Sequence, residues 1–256
     1  MRTLKLTLAY DGGGYAGWQR QKDAVTIQGK LEAAFTEIEG QPVTVHGAGR
    51  TDAGVHALGQ VASVRLVHAI NLMSLTRALN AKLPDDICVL CVETATEDFH
   101  ARFSARSKAY QYRVSLGSVP NPLERGHAWH VRQSLDFEKI RQAAVLLRGR
   151  HDFAAFRAAS GDYPSRSTVR TITELEIKSD LAPAWLGAPA RPVLVFDVVG
   201  DGFLRHMVRT LVGTLIEVGA GRFGVDDVAE ILLSRRREQA GPTAPAHGLF
   251  LVRVEY

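Results

Sequence analysis

The 256-residue sequence contains only two cysteines, Cys88 and Cys91, and both lie in the single stretch "DDICVLCVE". They form a lone CxxC, which is only a weak signal of a redox or metal site, and no second pair of cysteines or histidines stands at metal spacing. The surrounding residues are apolar and typical of a strand. We therefore expect packed thiols in a reducing compartment.

Long apolar runs are also missing. No segment approaches the roughly 20 apolar residues that a transmembrane helix requires. The N-terminal stretch "MRTLKLTLAYDGG" has no apolar run followed by a small-residue cleavage site, so no secretory signal is expected. These features predict a cytoplasmic protein that does not bind a membrane.

Neither sign of charge dominates, since 31 Lys and Arg residues stand against 27 Asp and Glu residues, for a net charge of +4. The basic residues nevertheless form three clusters. These are Arg102, Arg106, Lys108 and Arg113, then Arg148, Arg150, Arg157, Arg166 and Arg170, and finally Arg235, Arg236 and Arg237. One such cluster is typical of a solvated face, whereas three favour a surface that binds a polyanion.

The first part of the chain shows a strand–helix–strand pattern. Leu4, Leu6 and Leu8 alternate as in a strand, and apolar residues recur at helical spacing over 27–38. Thr26 is a suitable N-cap for this helix and Gly40 a suitable stop. Further strands are predicted in "GQVASVRL" and "DICVLCVE", and a further helix in "LMSLTRALNAKL".

The pattern restarts after residue 105. Strands are predicted in "AYQYRVSL", "TVRTITELEIK", "PVLVFDVVG" and "GLFLVRVE", helices in "DFEKIRQAAVLLRG", "FLRHMVRTLVGTLIEVG" and 226–234, and a long polar loop in "HDFAAFRAASGDYPSRS". The order predicts an α+β fold with mainly antiparallel sheets and helices on one face. The two halves would be 1–105 and 106–256.

The most distinctive stretch is "VHGAGRTDAGVHALGQV", at 45–61, which holds four glycines. It is not a dinucleotide fingerprint, because Asp52 stands where the third glycine belongs and would repel a pyrophosphate. It lacks the Lys-Ser/Thr ending of a phosphate-binding loop, and its Thr-Asp-Ala-Gly order differs from that of an aspartic protease. His46 and His56 share no helical face or strand pairing, so we expect no metal site.

Two interpretations of this stretch remain. In the first, Asp52 stabilises a surface turn and Arg50 pairs with it. In the second, the two side chains leave one side of an extended segment and form a site for acid–base or nucleophilic chemistry beside a bound polyanion. The flanking glycines would then let a bulky partner approach.

Further motifs distinguish the two interpretations. "YDGGGYAGWQRQ" precedes the GRTDAGVH segment, and "FHARFSA", "KAYQY", "GFLRHMVRTLVG" and "AHGLFL" follow it. In this order they closely resemble the tRNA pseudouridine synthase A family, and the resemblance runs from Tyr10 to Leu251. A non-catalytic RNA-binding protein with the same fold is the main rival. A glycoside hydrolase would need a second acidic residue.

The resemblance implies an isomerase that converts uridine to pseudouridine at positions 38, 39 and 40 of the tRNA anticodon stem-loop. Substrate and product are isomers, so no cofactor is expected. The fold would be the pseudouridine synthase fold, with two α/β halves meeting around a central catalytic cleft. The half 1–105 would carry the aspartate loop, and the half 106–256 the tyrosine and arginine motifs. A homodimer that binds tRNA across both subunits is implied as well.

The resemblance also implies a role for individual residues. Asp52 would be the catalytic carboxylate, which attacks the ribose, attacks the uracil or removes a ribose proton. Arg50 would fill the gap that the extruded base leaves in the stack. Tyr110 would stack on the uracil, Arg209 would pair with Asp52 and keep it ionised, and Leu249 would pack against the target ring.

Trp18 and Gln19 lie in a glycine-rich loop, an unusual place for core packing, so we expect them to shape or contact the RNA. On a helix from Phe203, Arg205 would fall within the apolar stripe and Arg209 at its edge. The loop at 157–167 departs from the family pattern and is expected to affect how RNA is held.

Overall fold

The structure is a computed structural model that describes residues 1–158, 167–182 and 191–256. Its regular elements are β1 (Arg2–Tyr10), α1 (Ile27–Glu39), β2 (Val45–Gly47), β3 (His56–Leu66), α2 (Leu72–Lys82), β4 (Ile87–Thr94), β5 (Ser107–Leu116), β6 (Trp129–Val131), α3 (Phe137–Leu146), β7 (Gly149–Asp152), β8 (Val169–Ala182), β9 (Arg191–Gly200), α4 (Met207–Gly219), α5 (Asp227–Ser234) and β10 (Leu249–Glu255). Among the helices of the described ranges, none is long and apolar enough to cross a membrane.

These elements form two compact units. The first unit contains Met1–Lys108 and Phe250–Tyr256, and the second contains Ala109–Leu249. Each unit combines helices with its own strands, so the predicted α+β class is confirmed.

The sheet of the first unit has the strand order β4, β1, β3, β10. β1 runs antiparallel to both β3 and β4, and the short β2 is antiparallel to β3. β10 runs parallel to β3, with Phe250 opposite His56. The pairing is therefore mostly antiparallel, and the end of β2, at Gly47, lies opposite Ala62 of β3.

The core of the first unit lies between this sheet and helices α1 and α2. The predicted alternation in β1 is confirmed, because Leu4, Leu6 and Leu8 are fully buried. Phe35 on α1 and Leu79 on α2 are fully buried as well. Burial of side chains of this size stabilises a fold by about 1.5–3 kcal/mol each, which fixes both helices against the sheet.

Helix α1 begins and ends where the sequence predicts. The Thr26 hydroxyl accepts a hydrogen bond from the Gly29 amide at 3.2 Å, which satisfies one of the free donors of the first turn. Gly40 closes the helix in the left-handed conformation, with φ of 70°.

The second unit has the strand order β5, β9, β8, β7, and β6 runs parallel to β5. β7, β8 and β9 are antiparallel neighbours. Helices α3 and α4 pack together, and α4 is buried around most of its circumference. The strands predicted in "AYQYRVSL", "TVRTITELEIK" and "PVLVFDVVG" are confirmed.

Helix α4 begins later than the sequence predicts. It starts at Met207 rather than Phe203, because His206 adopts a left-handed conformation with φ of 61°. The carbonyl of Arg205 accepts a hydrogen bond from the Ala158 amide at 3.0 Å. That carbonyl is therefore held by another segment of the second unit and not by a helical turn.

The expectation of packed thiols was wrong, since Cys88 and Cys91 are both exposed. β4 is an edge strand, and its pairing with β1 shifts so that Thr7 faces Cys91 while Leu8 faces Val89. The extra residue, Leu90, forms a β-bulge. The bulge interrupts the alternation and leaves both cysteines facing outward.

The expectation of one long polar loop after residue 150 was also wrong for its first part. Residues 149–152 form β7, and a 3-10 helix over Ala154–Phe156 follows. Phe153 and Phe156 are fully buried and pack edge to face, with ring centroids 6.0 Å apart. Residues 159–166 of this loop lie outside the described residues.

Candidate active site

Asp52 lies in a turn between β2 and β3. The amide of Val55 donates to the carbonyl of Asp52 at 3.1 Å. Gly54, the third residue of the turn, has φ of 77°, a left-handed conformation that favours glycine. The turn fixes the backbone of Asp52 and leaves its carboxylate half-buried.

Thr51 anchors this loop from inside the first unit. Its side chain is only 5% exposed, and its hydroxyl lies 2.8 Å from the hydroxyl of Tyr10. Its carbonyl accepts a hydrogen bond from the Trp18 amide at 3.0 Å. Arg50 is exposed and Asp52 half-buried, so burial alternates along the three residues. This pattern is that of an extended segment with Thr51 on its inner side.

Tyr10 is the centre of the polar cluster beneath the loop. Burial raises the pKa of Tyr10 to about 12, against the opposing effect of hydrogen bonds with Thr51 and Gln60. The Gln60 amide also donates to the carbonyl of Gly49 at 2.8 Å. The segment that carries Arg50 and Asp52 is thus bound to the core at Gly49, which precedes Arg50, and at Thr51, which lies between the two residues.

Trp18 belongs to the core and not to the surface of the loop. Its indole is 2% exposed and lies 6.2 Å from the ring of Tyr10. A Cβ on Gly47 would come within 2.4–2.6 Å of indole atoms. The idea that a glycine-rich loop is an unusual place for core packing was therefore wrong. At Gly47, the space that glycine leaves is filled by Trp18 and not by an external partner.

The structure brings Gln19 and Arg50 together at the surface of the first unit. The Nε of Arg50 donates to Oε1 of Gln19 at 3.0 Å. Arg50 is exposed and Gln19 is half-buried. The planar guanidinium is therefore held beside the Asp52 turn while its face stays open to solvent.

The second unit holds the predicted tyrosine on β5. Tyr110 is 8% exposed and meets Phe203 edge to face, with ring centroids 5.1 Å apart and an angle of 84°. Tyr112 is fully buried, and its hydroxyl donates to the carbonyl of Pro245 at 2.8 Å. Burial raises the pKa of Tyr112, while Arg209 acts in the opposite direction.

Arg209 lies in the first turn of α4. Its Nε donates to the carbonyl of Ala244 at 2.8 Å, and the amide of Ala244 donates back to the carbonyl of Arg209 at 3.1 Å. These two bonds fix the start of α4 to the segment before β10. Leu249, at the start of β10, is buried as well. Arg209 and Leu249 therefore both border the segment 244–248.

His247 is a residue of this site that the sequence reasoning missed. Burial lowers its pKa, and the nearby charges of Arg209 and His127 lower it further, against a hydrogen bond to the backbone of Ala128. A neutral imidazole near an arginine can accept as well as donate a proton. The histidine stands within the motif "AHGLFL", in which the family resemblance implies a role only for Leu249.

Arg205 precedes α4, and its side chain is exposed. The helical-face argument for Arg205 therefore does not apply. Within the loop at 157–167, residues 159–166 lie outside the described residues, and so does Arg166 of the second basic cluster.

The third basic cluster is engaged within the second unit. Arg235 lies 3.1 Å from a carboxylate oxygen of Asp152, and Arg236 lies 2.7 Å from Glu238. Arg237 donates to the carbonyls of Ala240 and Gly241 and to the hydroxyl of Thr243. The arginines of this cluster thus bind groups of the second unit, namely Asp152 of β7 and the segment that follows α5.

The first basic cluster adjoins an exposed aromatic surface, which we define as His46, His100, Arg102 and Phe103. The rings of His46 and His100 stack with centroids 4.9 Å apart, and His100 lies 4.4 Å from Phe103. The guanidinium of Arg102 lies 5.7 Å from the Phe103 ring, which is 77% exposed. Burial, with the charges of His46 and Arg102, lowers the pKa of His100.

Comparison with known proteins identifies the family. The family model described as tRNA pseudouridine synthase matches residues 7–104 and 143–256. A protein named tRNA pseudouridine synthase A from Acetivibrio thermocellus is 43% identical over 256 residues, which is 100% of both chains. One of the same name from Moorella thermoacetica is 45% identical over 258 residues, again 100% of both chains.

A third relative of that name, from Chloroflexus aurantiacus, is 46% identical over 256 residues, which is 100% of this chain and 89% of the relative. The matches to these relatives cover both units and all the predicted site residues. The match to the family model includes the loop of Arg50 and Asp52 and the segments of Arg209 and Leu249, but not Tyr110. The chain belongs to the tRNA pseudouridine synthase family, a family of isomerases.

Proposed function

We propose that the protein converts uridine to pseudouridine at positions 38, 39 and 40 in the anticodon stem-loop of tRNA, with Asp52 as its catalytic carboxylate. One observation carries this assignment. Within a chain that matches synthases along its full length, a half-buried aspartate is fixed by its own turn two residues from an exposed arginine. No cofactor is needed in this proposal, because the reaction rearranges one nucleotide.

The carboxylate of Asp52 would act on a uridine that has left the stack. It would attack the ribose, attack the uracil ring or remove a ribose proton, and each of these steps requires the ionised form. The fixed turn supports this role, because a positioned group lowers the entropic part of the barrier.

Arg50 would occupy the space that the extruded base leaves. Extrusion costs a few kcal/mol of stacking and pairing, and a planar guanidinium can replace part of the lost stacking. The exposure of Arg50 and its hydrogen bond to Gln19 support this role, since the free face of the group remains available.

Three residues of the second unit complete the proposal. Tyr110 would stack on the extruded uracil and Leu249 would pack against its ring, as the resemblance implies. Arg209 would serve as the cation that keeps the carboxylate of Asp52 ionised. The hydrogen bond from its Nε to the carbonyl of Ala244 supports this role, because a fixed guanidinium loses little entropy on binding an anion.

The exposed aromatic surface supports RNA as the partner. Exposed rings bordered by arginine can stack on unpaired bases, and each such contact is worth about 1–3 kcal/mol. Trp18 would support the RNA-binding loop from inside, while Gln19 would hold Arg50. The homodimer, the cytoplasmic location, the halves 1–105 and 106–256 and their central catalytic cleft stay predictions of the sequence.

Incubation with an unmodified tRNA transcript tests this function. We expect pseudouridine at one or more of positions 38, 39 and 40 after carbodiimide labelling and primer extension, without an added cofactor. A transcript with cytidine at these three positions is the matched control. Salt-sensitive binding of the transcript without any isomerisation would instead support a non-catalytic RNA-binding protein.

A further inference from the structure

Four polar side chains form a chain of hydrogen bonds from the interior of the first unit to its surface. They are Glu32 and Gln28, one turn apart on α1, then Gln19, then Arg50 itself. Gln28 is 8% exposed and Glu32 is 7% exposed, whereas Arg50 lies in solvent. The chain of hydrogen bonds therefore runs from a buried carboxylate to an exposed guanidinium.

The amide of Gln28 has its full set of hydrogen bonds. Its Nε2 donates to Oε1 of Glu32 at 2.9 Å and to the carbonyl of Val45 at 3.0 Å. Its Oε1 accepts from Nε2 of Gln19 at 2.8 Å and from the amide of Arg20 at 2.9 Å. Reversing the amide would oppose donors to donors and acceptors to acceptors, so its orientation is fixed.

Glu32 determines the orientation of the Gln28 side-chain amide from its buried side. Its Oε1 accepts from Gln28 and also from the amide of Val45 at 3.2 Å. Its Oε2 lies 3.2 Å from the guanidinium of Arg20. An ionised carboxylate can only accept hydrogen bonds, so the nitrogen of the Gln28 amide must face it.

The orientation of Gln28 in turn fixes the orientation of Gln19 at the surface. Because Gln28 presents an oxygen to Gln19, the amide of Gln19 must turn its nitrogen inward and its oxygen outward. That oxygen is the acceptor for Nε of Arg50 at 3.0 Å. The buried residues of α1 thus decide which atom of Gln19 meets Arg50.

From this geometry we infer that Gln28 and Glu32 are positioning residues for Arg50, acting through Gln19. The inference rests on the proposed role of Arg50 in filling the gap in the stack. An exposed arginine without a fixed acceptor samples many rotamers, and ordering them opposes binding. A preset Nε restricts the guanidinium before RNA arrives, and residues that support a contacting side chain in this way sharpen its geometry.

A double-mutant cycle separates positioning from simple stabilisation of α1. The single-turnover rate of pseudouridine formation is measured for the parent, Gln28→Met, Arg50→Ala and the double variant. We expect Gln28→Met to slow the parent by about threefold to tenfold, the scale of one lost hydrogen bond. In the Arg50→Ala background its effect should fall below about twofold.

Glu39→Met is the matched control. Glu39 is also a buried, hydrogen-bonded carboxylate of α1, and its Oε2 accepts from the amides of Val67 and His68 at the other end of the helix. This variant should lower the melting temperature, as Gln28→Met does, but leave the rate of folded enzyme close to that of the parent. If Gln28→Met does not fold, Gln19→Met interrupts the same series of hydrogen bonds at Gln19, which is only half-buried.

The outcomes distinguish this inference from the proposed function. Equal slowing by Gln28→Met in both backgrounds would show a structural role and overturn the inference alone. A parent-like rate for Arg50→Ala would overturn both the role of Arg50 and the inference. An NMR spectrum gives an independent check, since the Nε–H signal of Arg50 should be sharp in the parent and broadened in Gln28→Met.

Discussion

At the scale of single residues, the candidate site depends on what lies beneath it. Asp52 and Arg50 are presented by a segment whose middle residue, Thr51, is bound to Tyr10 and Trp18 inside the first unit. This buried hydroxyl pair is costly to disrupt, because the hydroxyl of Thr51 would lose its hydrogen bond with Tyr10 away from water. Arg50 and Asp52 are therefore held by neighbours that take no part in the proposed chemistry.

Gly47 gives a direct test of this support. In Gly47→Ala the new methyl group would overlap the indole of Trp18, so we expect the free energy of unfolding to fall by about 1–3 kcal/mol. Gly49→Ala is the control, because its Cβ would meet only the side chain of Lys108 at an ordinary 3.7 Å. Urea unfolding of both variants is the measurement, and equal stability of the two would contradict the account.

The buried tyrosines predict how stability depends on alkaline pH. Burial raises the pKa of Tyr10 to about 12 and also raises the pKa values of Tyr112 and Tyr256. Between the ordinary tyrosine pKa, about 10, and these higher values, the folded chain holds more protons than the unfolded chain. The contribution of these tyrosines to stability should therefore be fully present below about pH 10. The free energy of unfolding should then fall as the pH rises above that value.

Urea unfolding near pH 8 and near pH 11 measures this effect. Tyr10→Phe should lose less stability across the window than the parent, because one of the shifted groups is gone. An unfolding free energy that stays constant across the window, or a decline of the same size in both proteins, would contradict the assignment.

At the scale of elements, the sequence is most informative where local pattern decides structure. The alternation of Leu4, Leu6 and Leu8 predicts β1, and the pair Thr26 and Gly40 predicts both ends of α1. Each of these signals acts within a few residues along the chain, so no knowledge of distant contacts is needed to interpret it.

The elements that the sequence mispredicts depend on distant contacts. The start of α4 is delayed because Ala158 binds the carbonyl of Arg205, and the outward cysteines of β4 result from its register with β1. Trp18, in the loop between β1 and α1, is buried because Gly47 at the end of β2 leaves space for it. In each case the deciding partner lies far away in sequence, where periodicity and capping signals give no information.

The turn over residues 100–104, closed by the bond from the Ser104 amide to the carbonyl of His100, yields a prediction about RNA binding. Phe103→Ala removes the exposed end of the aromatic surface, and we expect the binding free energy for an anticodon stem-loop RNA to weaken by about 1–3 kcal/mol. Leu123→Ala is the control, because Leu123 is an aliphatic side chain exposed to a similar degree, at 69% against 77% for Phe103. Fluorescence anisotropy at one fixed salt concentration measures both affinities.

If Phe103 instead contacts a second copy of the chain, Phe103→Ala would lower the molecular mass in light scattering and leave the affinity of each subunit for the RNA unchanged. That result would show that the aromatic surface does not bind the RNA. The assignment of Asp52 and Arg50 would stand, because it rests on a separate loop.

At the scale of the whole molecule, the proposed chemistry draws on residues of both compact units. Arg50 and Asp52 belong to the first unit, whereas Tyr110, Arg209 and Leu249 belong to the second. The full-length match to synthases includes all of these segments. A net charge of only +4 adds little to affinity for RNA, so we attribute specificity to local contacts and not to the overall charge.

The most direct measurement is pseudouridine formation in unmodified tRNA by Asp52→Asn, compared with Asp85→Asn, which alters an exposed aspartate of the same unit. The amide keeps the size of the carboxylate but cannot act as a nucleophile or a base. We expect Asp52→Asn to bind tRNA and form no detectable pseudouridine, while Asp85→Asn retains the parent rate. Turnover by Asp52→Asn at the parent rate would contradict the central claim that this carboxylate performs the isomerisation.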